Sequence, residues 1–450
     1  MRLPRILIAG TSSGSGKTTA TCVILSLLKR RGIKVRACKC GPDYIDPMFH
    51  KRVSGVPCTN LDPFFCDADL LRYLLCDDFG GQLAVIEGVM GYYDGTSREG
   101  TDNSTFTVAE QTDTPAILVV DAKGSAASLL AVMEGFLNFV KESGIKGVLF
   151  NRMTPMSYQA VKEIMHDRFG ESVIPVGFIP PLPDECRIPS RHLGLVTASE
   201  IKDLSERLDK TADLCEPSVD LDALLATADK APDLEYRAPE VPHLGGIKLA
   251  VAMDEAFCFY YDSTLKMLER MGARLEFFSP LADEEIPAES DGLLLGGGYP
   301  ELYAERLETN NHSKESIFRA VRSGMPTIAE CGGFQYLGTS LDGRRMCGVL
   351  DHSSSRTEHL VRFGYIALTS RKGGLLGPAG TVLPAHEFHY WDSTANGDSF
   401  TARKPNGREW ECAVMTDTLY AGYPHLFLPA AIPAAEAFYK RCLSYKERRL

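Results

Sequence analysis

No stretch of this 450-residue sequence approaches the roughly twenty consecutive apolar residues that a membrane-spanning helix needs. Basic residues are also in deficit: 48 Lys and Arg against 59 Asp and Glu leave a formal charge of -11, the wrong sign for neutralising nucleic-acid phosphates. The thirteen cysteines are odd in number, include no C-x-x-C pair and follow no disulfide-like spacing, so reduced thiols in a cytoplasmic enzyme are expected. The apolar run within residues 1–10 is too short for a secretory signal. There is no internal repeat and no low-complexity tract. What remains is an ordinary globular composition, 44% hydrophobic and 24% charged, in a chain longer than one core usually covers. Neither nucleic acid nor membrane is expected as a partner.

Short apolar runs alternate with helical patterns through the first half. Strands are expected near 6–9, 35–39, 83–87, 116–120, 147–150 and 173–179, with helices at 17–31 and 125–142. Buried parallel strands linked by helices read this way. Residues 199–229 are helical and polar, and 231–246 are rich in Pro, Glu and turn residues. The boundary is therefore placed near 240, giving a domain over 1–240 and another over 241–450. The second repeats the alternation, with strands at 247–252, 275–278, 292–295 and 327–329 and helices at 261–270 and 314–323. It becomes strand-rich from 348 and ends in a helix at 431–445. The fold class expected is α/β twice over: a phosphate-loop parallel-sheet domain, then a flavodoxin-like α/β domain.

Gly10-Thr-Ser-Ser-Gly14-Ser15-Gly16-Lys17-Thr18-Thr19 follows an apolar strand and opens a helix, the context in which a glycine-rich loop cradles phosphates. The loop departs from the strict pattern at Thr11, where a glycine would stand. Lys17 would reach the β and γ oxygens of ATP, and Thr18 would ligate Mg²⁺. Asp43, in Lys39-Cys-Gly-Pro-Asp43-Tyr44-Ile-Asp46-Pro, and Glu87 follow or close other apolar runs, and strand C-termini are where ligands gather in an open parallel sheet. Both are candidates for Mg²⁺, which prefers hard oxygen ligands. Asn151 and Arg152, at another strand end, are candidates for the adenine.

Pro326-Thr-Ile-Ala-Glu-Cys331-Gly-Gly-Phe places a cysteine where a strand breaks into a helix, an elbow that exposes a nucleophile beside a helix N-terminus expected to favour the thiolate. The strand end at Gly296-Gly297-Gly298 offers backbone N–H groups for an oxyanion. Of the later histidines, His425 is favoured as the base because its place after the last strand returns it to the elbow. His386 and His389 form an H-x-x-H lacking the cysteines and helix of a zinc site.

Taken together these segments resemble the cobyrinic acid a,c-diamide synthases, which join a dethiobiotin-synthetase-like ATP-binding domain to a class I-like glutamine amidotransferase domain. The resemblance spans nearly the whole chain: the phosphate loop, Gly41-Pro-Asp-Tyr-Ile-Asp46, Glu87-Gly-Val-Met-Gly-Tyr-Tyr-Asp94-Gly, Ile188-Pro-Ser-Arg-His-Leu-Gly-Leu195, the strand end at Gly296, the elbow at Cys331 and His386-Glu-Phe-His389-Tyr. It implies Cys331 as nucleophile and His425 as its base. It also implies roles for Asp43, Tyr44, Asp46, Glu87 and Asp94 in handling metal, substrate or a phosphorylated intermediate. Ordinary class I amidotransferases carry H-x-E, whereas Phe427 stands where that Glu would be. The family is known for lacking this acid, which leaves open what orients His425.

The activity so implied is ATP-dependent amidation of two tetrapyrrole carboxylates with ammonia from glutamine. Acyl phosphates would form in a site sheltered from water. Nickel-sirohydrochlorin a,c-diamide synthase shares fold and motifs and remains an alternative. Cobyric acid synthase departs from the Pro-Asp-Tyr-Ile-Asp and Glu-Phe-His-Tyr signatures seen here, and a phosphate-loop switch protein would need no nucleophilic cysteine. Whether a homodimer forms is left open.

Overall fold

The computed structural model describes residues 1–449 except 79, 98, 99, 126, 189, 192, 193, 196–200 and 202. Pro189, His192 and Leu193 of the motif over 188–195 therefore lie outside the described residues. The chain divides into two compact units, Met1–Pro239 and Glu240–Leu450.

The first unit is built on seven strands: β1 (Arg5–Gly10), β2 (Val35–Cys40), β3 (Thr59–Leu61), β4 (Leu83–Glu87), β5 (Ala116–Asp121), β6 (Ile145–Asn151) and β7 (Ile174–Ile179). They pair in the order β3-β2-β4-β1-β5-β6-β7, and every pairing is parallel. β1, β2, β3 and β4 are buried along their whole length; β1 and β4 accordingly read as apolar runs rather than alternating ones, whereas β2 carries Arg36 and Lys39, and β3, with Thr59 and Asn60, gave no strand signal in the sequence. Register aligns the strand ends: Glu87 pairs with Ile8 of β1 and with Lys39 of β2. Whatever follows β1, β2 and β4 is thus delivered to one edge.

The helix Lys17–Arg30 buries Ala20, Val23, Ile24, Leu27 and Leu28 in the core. The polar segment expected near 199–229 contains two helices, Leu204–Cys215 and Leu221–Ala228. Their sparse apolar residues, including Leu204, Leu208, Leu221 and Leu224, pack into that same core. The helices Ile45–Ser54, Ala68–Cys76, Thr105–Gln111 and Pro155–Phe169 add to the sequence expectation.

The second unit centres on the parallel strands Ala273–Phe278, Ile247–Ala252, Gly292–Leu295, Thr327–Glu330 and Leu419–Gly422, neighbours in that order, with Val414–Met415 antiparallel at the edge. The strand-rich tail resolves into an antiparallel sheet of Glu409–Cys412, Phe400–Arg403, Arg362–Ser370, Val382–His389 and His425–Leu426. The terminal helix Ile432–Arg449 buries Ala434, Ala435, Phe438, Tyr439 and Cys442 in the core formed with Leu249, Val251 and Ile328. Burial of Phe438 alone contributes about 2–3 kcal/mol.

Candidate functional site

The phosphate loop leaves β1 at Gly10 and closes at Gly16, with Gly14 and Gly16 both left-handed at φ 77° and 100°. Beneath it, Asn151 at the end of β6 donates its side-chain amide to the Ser15 carbonyl at 2.9 Å. A Cβ on Gly16 would sit 2.2 Å from that amide nitrogen, so the loop tolerates only glycine there. Asn151, expected at the adenine, is thus engaged in bracing the loop. Arg152 is ion-paired with Asp121 across the neighbouring strand ends. The Ser15 hydroxyl is buried in the loop with no partner among the described residues, as a group awaiting a ligand would be. Lys17 rests its ammonium on the carbonyls of Ser12 (3.0 Å) and Met90 (2.5 Å). Burial, then the nearby charge of Lys39, lowers its pKa to about 8.

Glu87 is the hub of the strand ends. Its Oε1 accepts from Thr18 Oγ1 at 2.7 Å and from Lys39 Nζ at 3.0 Å, and its Oε2 lies 2.6 Å from His50 Nε2. Burial opposes its charge, but Lys39 and then His50 more than offset that and hold the carboxyl below the usual range. Lys39 also reaches Asp46 Oδ2 at 2.7 Å. Asp46 shifts the other way, raised first by burial and then by Asp43. Asp43 Oδ1 accepts the N–H groups of Ile45 (2.8 Å) and Asp46 (3.1 Å), capping the helix Ile45–Ser54. Tyr44, half-buried, is the N-cap residue immediately before that helix. Thr19 lies half-buried in the first turn after the loop. Asp94 is exposed and closes a turn by accepting the Gly91 N–H at 2.8 Å.

Sequence reasoning missed Lys39 and His50. A lysine inside a wholly buried strand was the available signal for the first. The second stands four residues after Asp46, on the same helix face.

Among the described residues no three His, Cys, Asp or Glu side chains form a metal cage. Mg²⁺ asks for less, riding on substrate phosphates with one or two carboxylates. The hydroxyl of Thr18 beside the carboxylate of Glu87 fits that demand.

In the second unit the backbone of Cys331 is held at φ 47°, ψ -101°, a strained conformation for a side-chain-bearing residue. Its N–H donates to the Gly422 carbonyl at 2.7 Å. The helix that follows, Gly332–Leu337, has six residues, and burial pushes the Cys331 thiol up. Burial thus opposes the thiolate expected at this elbow, and the proton needs an acceptor. Gly297 is pressed against the His425 ring, since a Cβ there would lie 2.3 Å from Cε1. Gly298, at φ 154°, is packed against the Ala256 carbonyl, and a Cβ on Gly332 would lie 3.3 Å from the Gly298 nitrogen. Glycine-rich strand end, elbow and imidazole therefore share one place.

His425 is carried there by two sheets at once. It follows Leu419–Gly422 of the parallel sheet, then pairs with His386 of the antiparallel one. Burial, then the neighbouring His386 and His389, lowers its pKa to about 3. Phe427 is fully buried edge-on to Tyr261. Glu330 lies with Oε2 3.8 Å from His425 Nδ1, while its Oε1 accepts the Leu426 N–H at 3.0 Å. Burial raises Glu330 to about 8. His386 and His389 stand three apart on one strand, so they face opposite sides. His389 stacks on Tyr423 at 3.8 Å between ring centroids and bonds the Trp391 carbonyl.

Residues 6–196 match the model of the CobQ/CobB/MinD/ParA nucleotide binding domain, and 248–431 that of the CobB/CobQ-like glutamine amidotransferase domain. The chain is 39% identical over 435 residues to the cobyrinate a,c-diamide synthase of Listeria monocytogenes, covering 94% of this chain and 96% of that one. It is 35% identical over 462 residues to the enzyme of that name from Thermoplasma volcanium, covering 100% and 99% of the two chains. With that of Caldanaerobacter subterraneus it shares 36% over 449 residues, 98% of each.

Proposed function

The chain belongs to the cobyrinate a,c-diamide synthase family, and from that premise we propose that it amidates the a- and c-carboxylates of cobyrinic acid in turn, through acyl phosphates. It is a glutamine-dependent amidoligase with a nucleotide-binding domain. The observation that carries the finer reading is the pairing, in one chain, of a braced phosphate loop with a strained Cys331 whose elbow meets His425 at a glycine-rich strand end.

In the second unit Cys331 gives its proton to His425 and attacks the side-chain amide carbon of glutamine. The N–H groups of Gly297 and Gly298 would be donors for the oxyanion, a reading supported by the closeness of the Gly298 nitrogen to Gly332, where a Cβ would lie 3.3 Å from it. His425 returns the proton to the departing ammonia, and water, deprotonated by His425, releases glutamate from the thioester. In the first unit a substrate carboxylate attacks the γ-phosphorus of ATP and ADP leaves. Lys17, drawn from the Ser12 and Met90 carbonyls, holds the transferring phosphoryl group. Thr18 and Glu87, with Asp43 at the neighbouring strand end, would hold Mg²⁺, which supplies charge neutralisation on the phosphates. Asp94, Tyr44 and Asp46 would handle the substrate carboxylate, a reading supported by Asp46 and Asp94 lying near enough to Lys17 to act on its charge. Ammonia then attacks the acyl carbon and phosphate departs.

The test supplies glutamine, ATP and Mg²⁺ with either cobyrinate or nickel-sirohydrochlorin and weighs the products. Two successive amidations of cobyrinate, each with one ADP and one glutamate, are expected. Amidation of the nickel compound alone would overturn the substrate assignment.

A further inference from the structure

We infer that Glu330, the residue immediately before the nucleophile, is the positioning acid of the amidotransferase unit, setting the His425 imidazole so that Nδ1 carries hydrogen and Nε2 faces Cys331. The inference rests on the reading of Cys331 and His425 as nucleophile and base. A base that must accept and return a proton at one nitrogen needs its other nitrogen fixed, and in Cys-His-acid arrangements a carboxylate does this.

The position two residues after the histidine is closed to that role here, because Phe427 fills it and is fully buried. Glu330 reaches the same nitrogen from a different strand. Its Oε2 is 3.8 Å from Nδ1, an ion-pair distance that a small rotation would shorten to a hydrogen bond. Its Oε1 is tied to the N–H of Leu426, the residue next to His425, so carboxylate and imidazole are anchored to one piece of backbone. The strand register fixes this, since Glu330 pairs with Gly422 at the start of the turn that carries His425. The imidazole cannot swing away across Gly297, whose Cα it touches so closely that no Cβ would fit. Tyr260 and Tyr420 face Glu330, and their hydroxyls are engaged with backbone groups of Ala252, Gly296 and Pro424. Facing His425 are His386 and His389, and facing Cys331 are Glu301 and Glu387.

Glutaminase turnover of E330Q, E330A and E330D would be compared with the parent from about pH 6 to 9, with ammonium-driven amidation and thermal unfolding as checks on folding. A glutamine side chain still accepts the Leu426 N–H but presents no charge to Nδ1. E330Q should lose on the order of 10²-fold in kcat with little change in KM, and E330D should recover part of it. The parent's activity should rise through the Glu330 pKa of about 8, and E330Q should lack that rise. A parent-like E330Q, or an equal pH-independent loss in E330Q and E330A, would overturn the assignment. Glutaminase surviving in H425A would instead remove the dyad on which it rests.

Discussion

Lys39 holds two carboxylates with one ammonium, and the two respond in opposite directions. Glu87 gains Lys39, His50 and Thr18 and stays charged, while Asp46, buried beside Asp43, is driven toward its neutral form. Removing the charge of Glu87 would leave Lys39 with Asp46 as its remaining carboxylate partner and take from His50 the carboxylate it faces. E87Q should therefore lose amidation on the order of 10²-fold or more while glutaminase turnover persists, and loss of both would contradict a site confined to the first unit. The pH dependence of stability carries the same signature. A depressed folded pKa gives a contribution that is present above the usual carboxylate value and lost as pH falls toward the depressed one. The parent's melting temperature should therefore fall more steeply in acid than that of E87Q. Glu387 has the opposite sign. Burial raises it to about 7, so its contribution is present below its ordinary value near 4.5 and lost as pH rises through about 7, a swing of about 3 kcal/mol. E387Q should flatten the decline of melting temperature over that window, and an unchanged slope would show that the carboxyl is solvated.

At the scale of elements, the phosphate loop is held from below by a strand end rather than by its own turn chemistry. G16A should drive its new methyl into the Asn151 amide at an already left-handed position. Affinity for an ATP analogue, measured by calorimetry, should drop more than tenfold, and unchanged affinity would show that the brace can yield. Most strands of the two parallel sheets were legible in the sequence as short apolar runs, and Leu83–Glu87 and Gly292–Leu295 start and stop where the pattern does, whereas Thr59–Leu61, with two polar residues of its three, and Leu419–Gly422 were not. The helix Pro155–Phe169 was not legible, since it buries only Tyr158, Val161 and Met165 and leaves too weak a stripe. Of the candidate site, the parts written as contiguous motifs, the loop and the elbow, could be read directly. The partners brought in by register could not. Lys39 and Glu87 are 48 residues apart, His50 and Glu87 37, and Glu330 and Leu426 96. Nothing local marks such pairs, and the burial that opposes a Cys331 thiolate is likewise a property of the packed elbow.

For the whole molecule, two compact units carrying different chemistry make the two half-reactions separable by substitution. C331A removes the proposed nucleophile and leaves every residue of the phosphate loop unchanged. It should abolish glutamine-driven amidation, on the order of 10³-fold, and keep amidation supported by ammonium salt, which should rise with pH as more of the salt becomes free ammonia. K17A should do the reverse. Without the ammonium that sits between the loop and Met90, phosphoryl transfer should fall with either nitrogen source while glutamate release continues. Measuring glutamate, ADP and amide in both variants separates the cases. If K17A also silenced glutamate release with all substrates present, hydrolysis of glutamine would be gated by the state of the nucleotide site, and the two half-reactions would be one cycle rather than two independent ones.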